Sequence, residues 1–152
     1  MARNTAHIDA PPAAVFAVLA DAHTYEHWVV GCKEIRDADD GWPAPGTMFH
    51  HRVGVGPLNT ADYTQVISVD RPRCLVLRAR ARPLGTARVT FELAATGTGM
   101  GTGTDIVMLE GPLSDWTRRL WNPVLDKLTY LRNVETLRRL KKLVEARATM
   151  ET

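Results

Sequence analysis

Between Cys32 and Leu109 the chain consists of short runs rich in Val, Ile, Thr and Phe, separated by DDGWPAPG, GVGPLNT, DRPR, RPLGT and TGTGMGTG. Clusters of Gly, Pro, Asn and Asp at such short intervals leave room for hairpins and little else, so the stretch predicts a meander of antiparallel strands. The runs fall near 32–38, 47–55, 61–70, 74–82, 87–95 and 103–110. A first strand is expected over 4–9, where a weak alternation runs into Pro11 and Pro12. That makes seven strands.

Helical texture flanks the meander. Pro12 is well placed to open a helix, and Val15, Phe16, Val18 and Leu19 give it an apolar face that ends near Ala20. Asp21 then stands where its carboxylate can accept hydrogen bonds from the free amides of a second short helix over 22–28. After the meander, Ser114 can cap a helical start, while Pro123 lacks an amide donor and restricts Asn122, which predicts a kink or break. From Val124 to about Arg147 a helix would run roughly 36 Å at 1.5 Å per residue. Its apolar residues recur at every third position from Leu125 to Leu143, so the stripe winds around the axis instead of holding one face. Trp121, Val124, Leu125, Leu128 and Leu131 gather on one side, with Tyr130, Val134, Leu137, Leu140 and Val144 nearly opposite. Such a helix suits a strongly curved sheet, or leaves leucines for a partner.

One hairpin can be registered from the sequence. In CLVLRARARPLGTARVTFEL, Leu75, Leu77, Ala79 and Ala81 share one strand face, and Val89, Phe91 and Leu93 share a face of the next. The two apolar sets meet only across a turn with an odd number of residues, which predicts a loop of Leu84, Gly85 and Thr86 with Arg78 opposite Glu92. Arg78, Arg80 and Arg82 then form a solvated outer row. Ala79 and Ala81 are small where a packed layer prefers bulk, which hints at space beneath them.

Composition narrows the function classes. A chain of 152 residues makes one domain spanning 1–152, and 45% apolar with 24% charged residues marks a folded globular protein. A formal charge of +2 is too balanced to drive nucleic-acid binding. No run approaches the roughly 20 apolar residues of a membrane span, and MARNTAHIDAPP lacks the core of an export signal, so a cytoplasmic protein without membrane insertion is expected. Cys32 and Cys74 belong to no CxxC and read as reduced thiols. His23 and His27 make an HxxxH pair without the third ligand a metal needs, so no metal and no cofactor are expected. The glycine-threonine tract over 97–103 leads into a strand, not into the helix a phosphate loop requires, and is read as a hairpin turn.

In order and spacing, IDAPPAAVFAVLAD at 8–21, YEHW at 25–28, PGTMF at 45–49, VDRPRCLVL at 69–77 and the closing helix resemble the START/polyketide cyclase (SRPBCC) superfamily across essentially the whole chain. The resemblance implies an α+β helix-grip fold, with a curved seven-stranded antiparallel sheet wrapped around a long C-terminal helix and two short helices after the first strand. It implies that Tyr25 and Trp28 close the end of the sheet near a cavity. It further implies that the cavity holds a hydrophobic or amphipathic small molecule: a lipid, a polyketide-like chain or an aromatic.

On the strands and helix placed above, Leu77, Ala79, Phe91, Met108, Trp116 and Leu128 would line that cavity, beside Trp28. His51, Tyr63 and Tyr130 would orient the ligand, with His50 replacing His51 if the strand takes the other register. A second reading is a cyclase or dehydratase, with His50 or His51 as base and Tyr63 or Arg52 as donor to a developing enolate. No paired carboxylates, nucleophile motif or complete triad accompanies them. A third is a regulatory or protein-partner module, including a homodimer, built on the surplus leucines and the neighbouring Arg138, Arg139, Lys141, Lys142 and Arg147.

Overall fold

The computed structural model describes residues 2–55, 58–81, 85–97, 102–113 and 122–150. The chain runs β1 (Ala2–Ile8), α1 (Pro12–Leu19), a 3-10 turn (Ala22–Thr24), α2 (Tyr25–Trp28), β2 (Cys32–Ala38), β3 (Met48–Val55), β4 (Leu58–Asp70), β5 (Cys74–Ala81), β6 (Gly85–Thr96), β7 (Gly103–Pro112) and α3 (Pro123–Met150). Seven strands form one antiparallel sheet in the order β1-β7-β6-β5-β4-β3-β2. It is a helix-grip α+β fold, as the meander and the closing helix predict. Register shifts between Cys32 and Glu34, between Ile35 and Asp37, and between Val66 and Ser68 bend the strands and curl the sheet. Among the described residues no helix is long and apolar enough to cross a membrane.

The β5/β6 hairpin keeps the expected parity but not the expected offset. Leu75 faces Phe91, Leu77 faces Val89 and Ala79 faces Ala87, so the apolar sets do meet. Ala81, however, pairs with Gly85, which leaves three residues between them two positions earlier than predicted, and Arg78 lies opposite Arg88 while Glu92 faces Cys74. Gly85 has a φ of 97°, a left-handed conformation natural to glycine, and this fixes where the returning strand can begin.

The 3-10 turn and α2 tie the first helix to the sheet. The Asp21 carboxylate caps nothing, contrary to expectation; the Asp21 carbonyl instead accepts the Thr24 amide at 3.1 Å and the Thr24 hydroxyl at 2.7 Å. Thr24 Oγ1 in turn accepts Trp28 Nε1 at 3.0 Å, and the Tyr25 hydroxyl donates to the Leu19 carbonyl at 2.8 Å. With their polar ends satisfied, both rings are buried. Tyr25 lies 4.5 Å from Trp28 and 4.9 Å from Phe49, centroid to centroid, and Trp28 lies 5.8 Å from Phe91. The Tyr-x-x-Trp pair is thus a seam between α2 and strands β3 and β6.

Helix α3 begins at Pro123, with the Asn122 side chain accepting the Leu125 amide at 2.9 Å, so the predicted break is a helix start. Ser114, Trp116 and Trp121 lie outside the described residues. Towards its C-terminus, Leu137, Leu140 and Val144 join the core with Phe16 and Leu19. In its N-terminal half the same face carries polar residues: Thr129, Asn133 and Thr136 are buried, whereas Val124, Leu128 and Leu131 are 69%, 58% and 54% exposed.

At the far edge, His7 bridges two carboxylates, with Nδ1 2.9 Å from Asp105 and Nε2 3.1 Å from Asp9. A Cβ at Gly103 would come 2.7 Å from His7 Cε1, so the glycine makes room for the ring. The hydrogen bond to Asp105 and the two negative charges raise the imidazole above its ordinary value.

Trp28→Ala should cost about 3–5 kcal/mol by removing a buried ring. Tyr25→Phe, which keeps the ring contacts and loses one buried hydrogen bond, should cost about 1 kcal/mol; urea denaturation measures both. Because His7 binds its proton more tightly folded than unfolded, its stabilisation is complete below the unfolded value near 6.5 and disappears as pH rises through the raised folded value. His7→Gln should abolish that alkaline-side loss in melts taken across the same range.

Candidate functional site

Between the concave face of the sheet and the N-terminal half of α3 lies a cavity of about 160 Å³. It forms because the residues that face each other there are short or polar. Ala79 and Ala87, opposite one another on β5 and β6, carry only methyl groups, and α3 presents Thr129 and Asn133 where another helix would present leucines. Leu77, Val89, Phe91 and Met108 supply the apolar sheet wall, Tyr25 and Phe49 the aromatic end, and Leu125 the helix side.

Two polar groupings interrupt this lining. The first is on β3 and β4. Phe49 is buried in the core, so by strand alternation His51 faces inward as well, and His50 is exposed. His51 is 5% exposed; its Nε2 lies 3.0 Å from Thr64 Oγ1, and its Nδ1 is buried without a hydrogen-bond partner among the described residues. Burial lowers the pKa of the ring below its ordinary value, and the nearby Asp62 charge and the Tyr63 backbone offset this only in part. Close by, the pairing of β4 with β5 ends at Thr64 and Ala79, and beyond that point the Arg80 Nε donates to the buried Asp62 carboxylate at 2.7 Å. The Arg80 guanidinium also lies 4.4 Å over the Tyr63 ring.

The second grouping joins β7 to α3. Ile106, Met108 and Glu110 share the inner face of β7, so the strand's alternation carries a carboxylate into the interior. Arg132 Nη2 donates to Glu110 Oε1, and Asn133 Nδ2 donates to the same oxygen at 3.2 Å. Asn133 Oδ1 accepts from Arg132 at 3.2 Å, which closes the network. Glu110, Arg132, Asn133 and Thr129 all line the cavity. Cys32 does too, and burial pushes its thiol up to about 12, so it is a protonated wall group and not a nucleophile.

Of the residues singled out from the sequence, the cavity brings together His51, Leu77, Ala79, Phe91 and Met108. Trp28 is fully buried behind Tyr25 and Phe91 and does not line it. Tyr63 alternates with Asp62 and Thr64 and so falls on the outer face, beneath Arg80. Arg52 is exposed, 3.5 Å from Glu34. Leu128 and Tyr130 point to solvent, Tyr130 45% exposed, because the buried face of α3 is the one carrying Thr129 and Asn133. His23 and His27 are exposed, and the described residues contain no cluster able to hold a metal. Thr64, Glu110, Arg132 and Asn133 were not singled out. Their signals were a charge on the apolar face of IVMLEG and polar residues recurring at helical spacing through 129, 133 and 136.

Because the unfolded chain accepts a proton that buried His51 resists, the protein should lose stability as pH falls below about 6.5. A histidine-selective NMR titration should find His51 moving below the ordinary range and His7 above it. His51→Leu should remove the acid-side loss and leave the alkaline-side loss attributed to His7.

A family model for polyketide cyclase/dehydrase and lipid transport matches residues 2–145. No protein of curated function matches in sequence. Among solved structures, a Rhodobacter sphaeroides protein superposes with a TM-score of 0.70 at 18% identity, covering 95% of this chain and 91% of that one. The Zhui aromatase/cyclase of a Streptomyces species gives 0.67 at 16% identity over 96% and 93%. A Chromobacterium violaceum protein gives 0.63 at 19% identity over 95% and 99%. Identities this low establish the shared fold alone, whereas the family model spans nearly every residue: the chain belongs to the polyketide cyclase/dehydrase and lipid transport family.

Proposed function

We propose that this protein binds a hydrophobic or amphipathic small molecule in the cavity between the sheet and α3. The observation that carries the reading is an apolar hollow with one polar atom in its wall, His51 Nδ1, buried without a hydrogen-bond partner among the described residues. A buried polar group without a partner costs roughly 1–3 kcal/mol, and a ligand that supplies the partner recovers that cost on binding. Apolar walls with a few convergent polar groups are the usual composition of a small-molecule site. The family's description and the aromatase/cyclase among the structural neighbours are consistent with such a role.

Catalysis on the bound molecule is the second reading, and the depressed pKa of His51 favours it, since an imidazole neutral at physiological pH is able to accept a proton. Among the described residues it lacks a second group free to act with it. Tyr63 and Arg52 lie outside the cavity, and the two cavity arginines are each held by a carboxylate. Binding without turnover therefore accounts for more of the wall.

Filling the hollow tests the proposal. Toluene, followed by ligand-observed NMR, should bind the wild-type protein. Ala79→Leu combined with Ala87→Leu should abolish that binding while keeping or raising the melting temperature, because the added methyl groups replace empty space with contacts. Toluene binding that survives in the filled variant would place the site elsewhere.

A further inference from the structure

We propose that the ligand is an uncharged molecule about the size of one substituted ring, carrying an oxygen that accepts a hydrogen bond from His51 Nδ1; this rests on the cavity being the binding site. The first support is size. The hollow measures about 160 Å³, close to the roughly 150 Å³ of a dry apolar cavity that admits benzene and well short of the several hundred usual for larger ligands.

The second support is charge. Among the described residues, the charged groups on the cavity wall are Arg80, Glu110 and Arg132. Arg132 bonds Glu110, and Arg80 bonds Asp62, whose side chain is fully buried behind it. The two cations and two anions cancel, His51 is held towards its neutral form, and the Cys32 thiol is protonated. A carboxylate entering this space would lose its hydration and find no uncompensated cation among the described residues. A neutral molecule incurs no such cost.

The third is the direction of the vacant hydrogen bond. Thr64 Oγ1 and His51 Nε2 are 3.0 Å apart, and that bond is the hydroxyl's one partner among the described residues. If Nε2 carried the proton, it would donate to Thr64, and both the threonine hydrogen and the Nδ1 lone pair would be left without partners. If Nδ1 carries the proton, the hydroxyl donates to Nε2, and Nδ1–H is the one donor left without a hydrogen bond among the described residues; the Tyr63 backbone, which favours a proton on the ring, makes none with this nitrogen. The second arrangement leaves fewer groups unpaired in a buried site, where each is costly. The vacant position is therefore a donor, and its complement is a carbonyl, ether or hydroxyl oxygen on the ligand.

Three probes of similar shape separate these terms: acetophenone, ethylbenzene and benzoate, titrated by calorimetry or ligand-observed NMR at neutral pH. Benzoate should bind at least about a hundredfold more weakly than acetophenone. The affinity ratio of acetophenone to ethylbenzene should fall roughly three- to tenfold from wild type to His51→Leu, the worth of one hydrogen bond once differences in hydration cancel between proteins. His51→Asn, which can place an amide N–H near the position of Nδ1, should restore part of that ratio. Nitrogen-15 spectra of the wild-type protein provide a readout independent of any variant's folding: His51 should be the Nδ1–H tautomer, with Nδ1 shifted by acetophenone and not by ethylbenzene. An unchanged ratio in His51→Leu, an Nε2–H tautomer, or benzoate within tenfold of acetophenone would overturn the ligand class and leave the cavity reading standing. Failure of both acetophenone and ethylbenzene to bind would overturn both.

Discussion

The interior depends on how α3 is fastened. Leu137, Leu140 and Val144 lock its C-terminal half into the core beside Phe16 and Leu19, and the Thr136 hydroxyl accepts the Val30 amide at 3.2 Å just ahead of them. With that end fixed, the rotation of the helix is set, and a rigid helix carries the same phase back to its start. The positions brought over the sheet there are Thr129 and Asn133, which cannot interdigitate as leucines would. The gap is kept from collapsing by Glu110, which reaches from β7 to Arg132 and Asn133 and acts as a strut between sheet and helix. Val124, Leu128 and Leu131 are exposed for the same reason. A rotation that buried them would withdraw Asn133 from Glu110 and pull Leu140 from the core.

The strands were legible because period-two alternation and turn residues are local signals. The hairpin shows how far such signals reach. Requiring Leu75 and Leu77 to share a face with Phe91 and Val89 settles parity, but offsets that differ by a whole pleat pass the same test. Turn chemistry at Gly85 then selects one. His51 was recoverable by the same rule, since Phe49 two positions earlier is the more decisive apolar residue and takes His51 inward with it. The helix was less legible. A three-residue leucine spacing precesses around the axis, so several rotations bury a similar amount of apolar surface, and only the contacts of Leu137, Leu140 and Val144 choose among them. For that reason Leu128 and Tyr130 looked like cavity residues from the sequence, and Thr129, Arg132 and Asn133 did not.

The cavity's polar groups divide by what they already hold. Glu110 with Arg132, and Asp62 with Arg80, span seams of the fold: one between sheet and helix, the other where β4 and β5 part company. Removing one member of either pair would strand its partner against the interior, so these charges are committed to architecture and have little freedom to meet a ligand. His51 differs. The rigid aromatic neighbours around it, with Phe49 at 5.3 Å and Tyr25 beyond, fix the ring, while Thr64 occupies one nitrogen and no described residue hydrogen-bonds the other. A group so placed is held in orientation before anything binds, which lowers the entropy cost of forming one further hydrogen bond. For the ligand proposed above, the same wall, which satisfies its own charges, leaves one directional contact among the described residues, so selectivity would rest on shape and on that contact and not on ionic attraction.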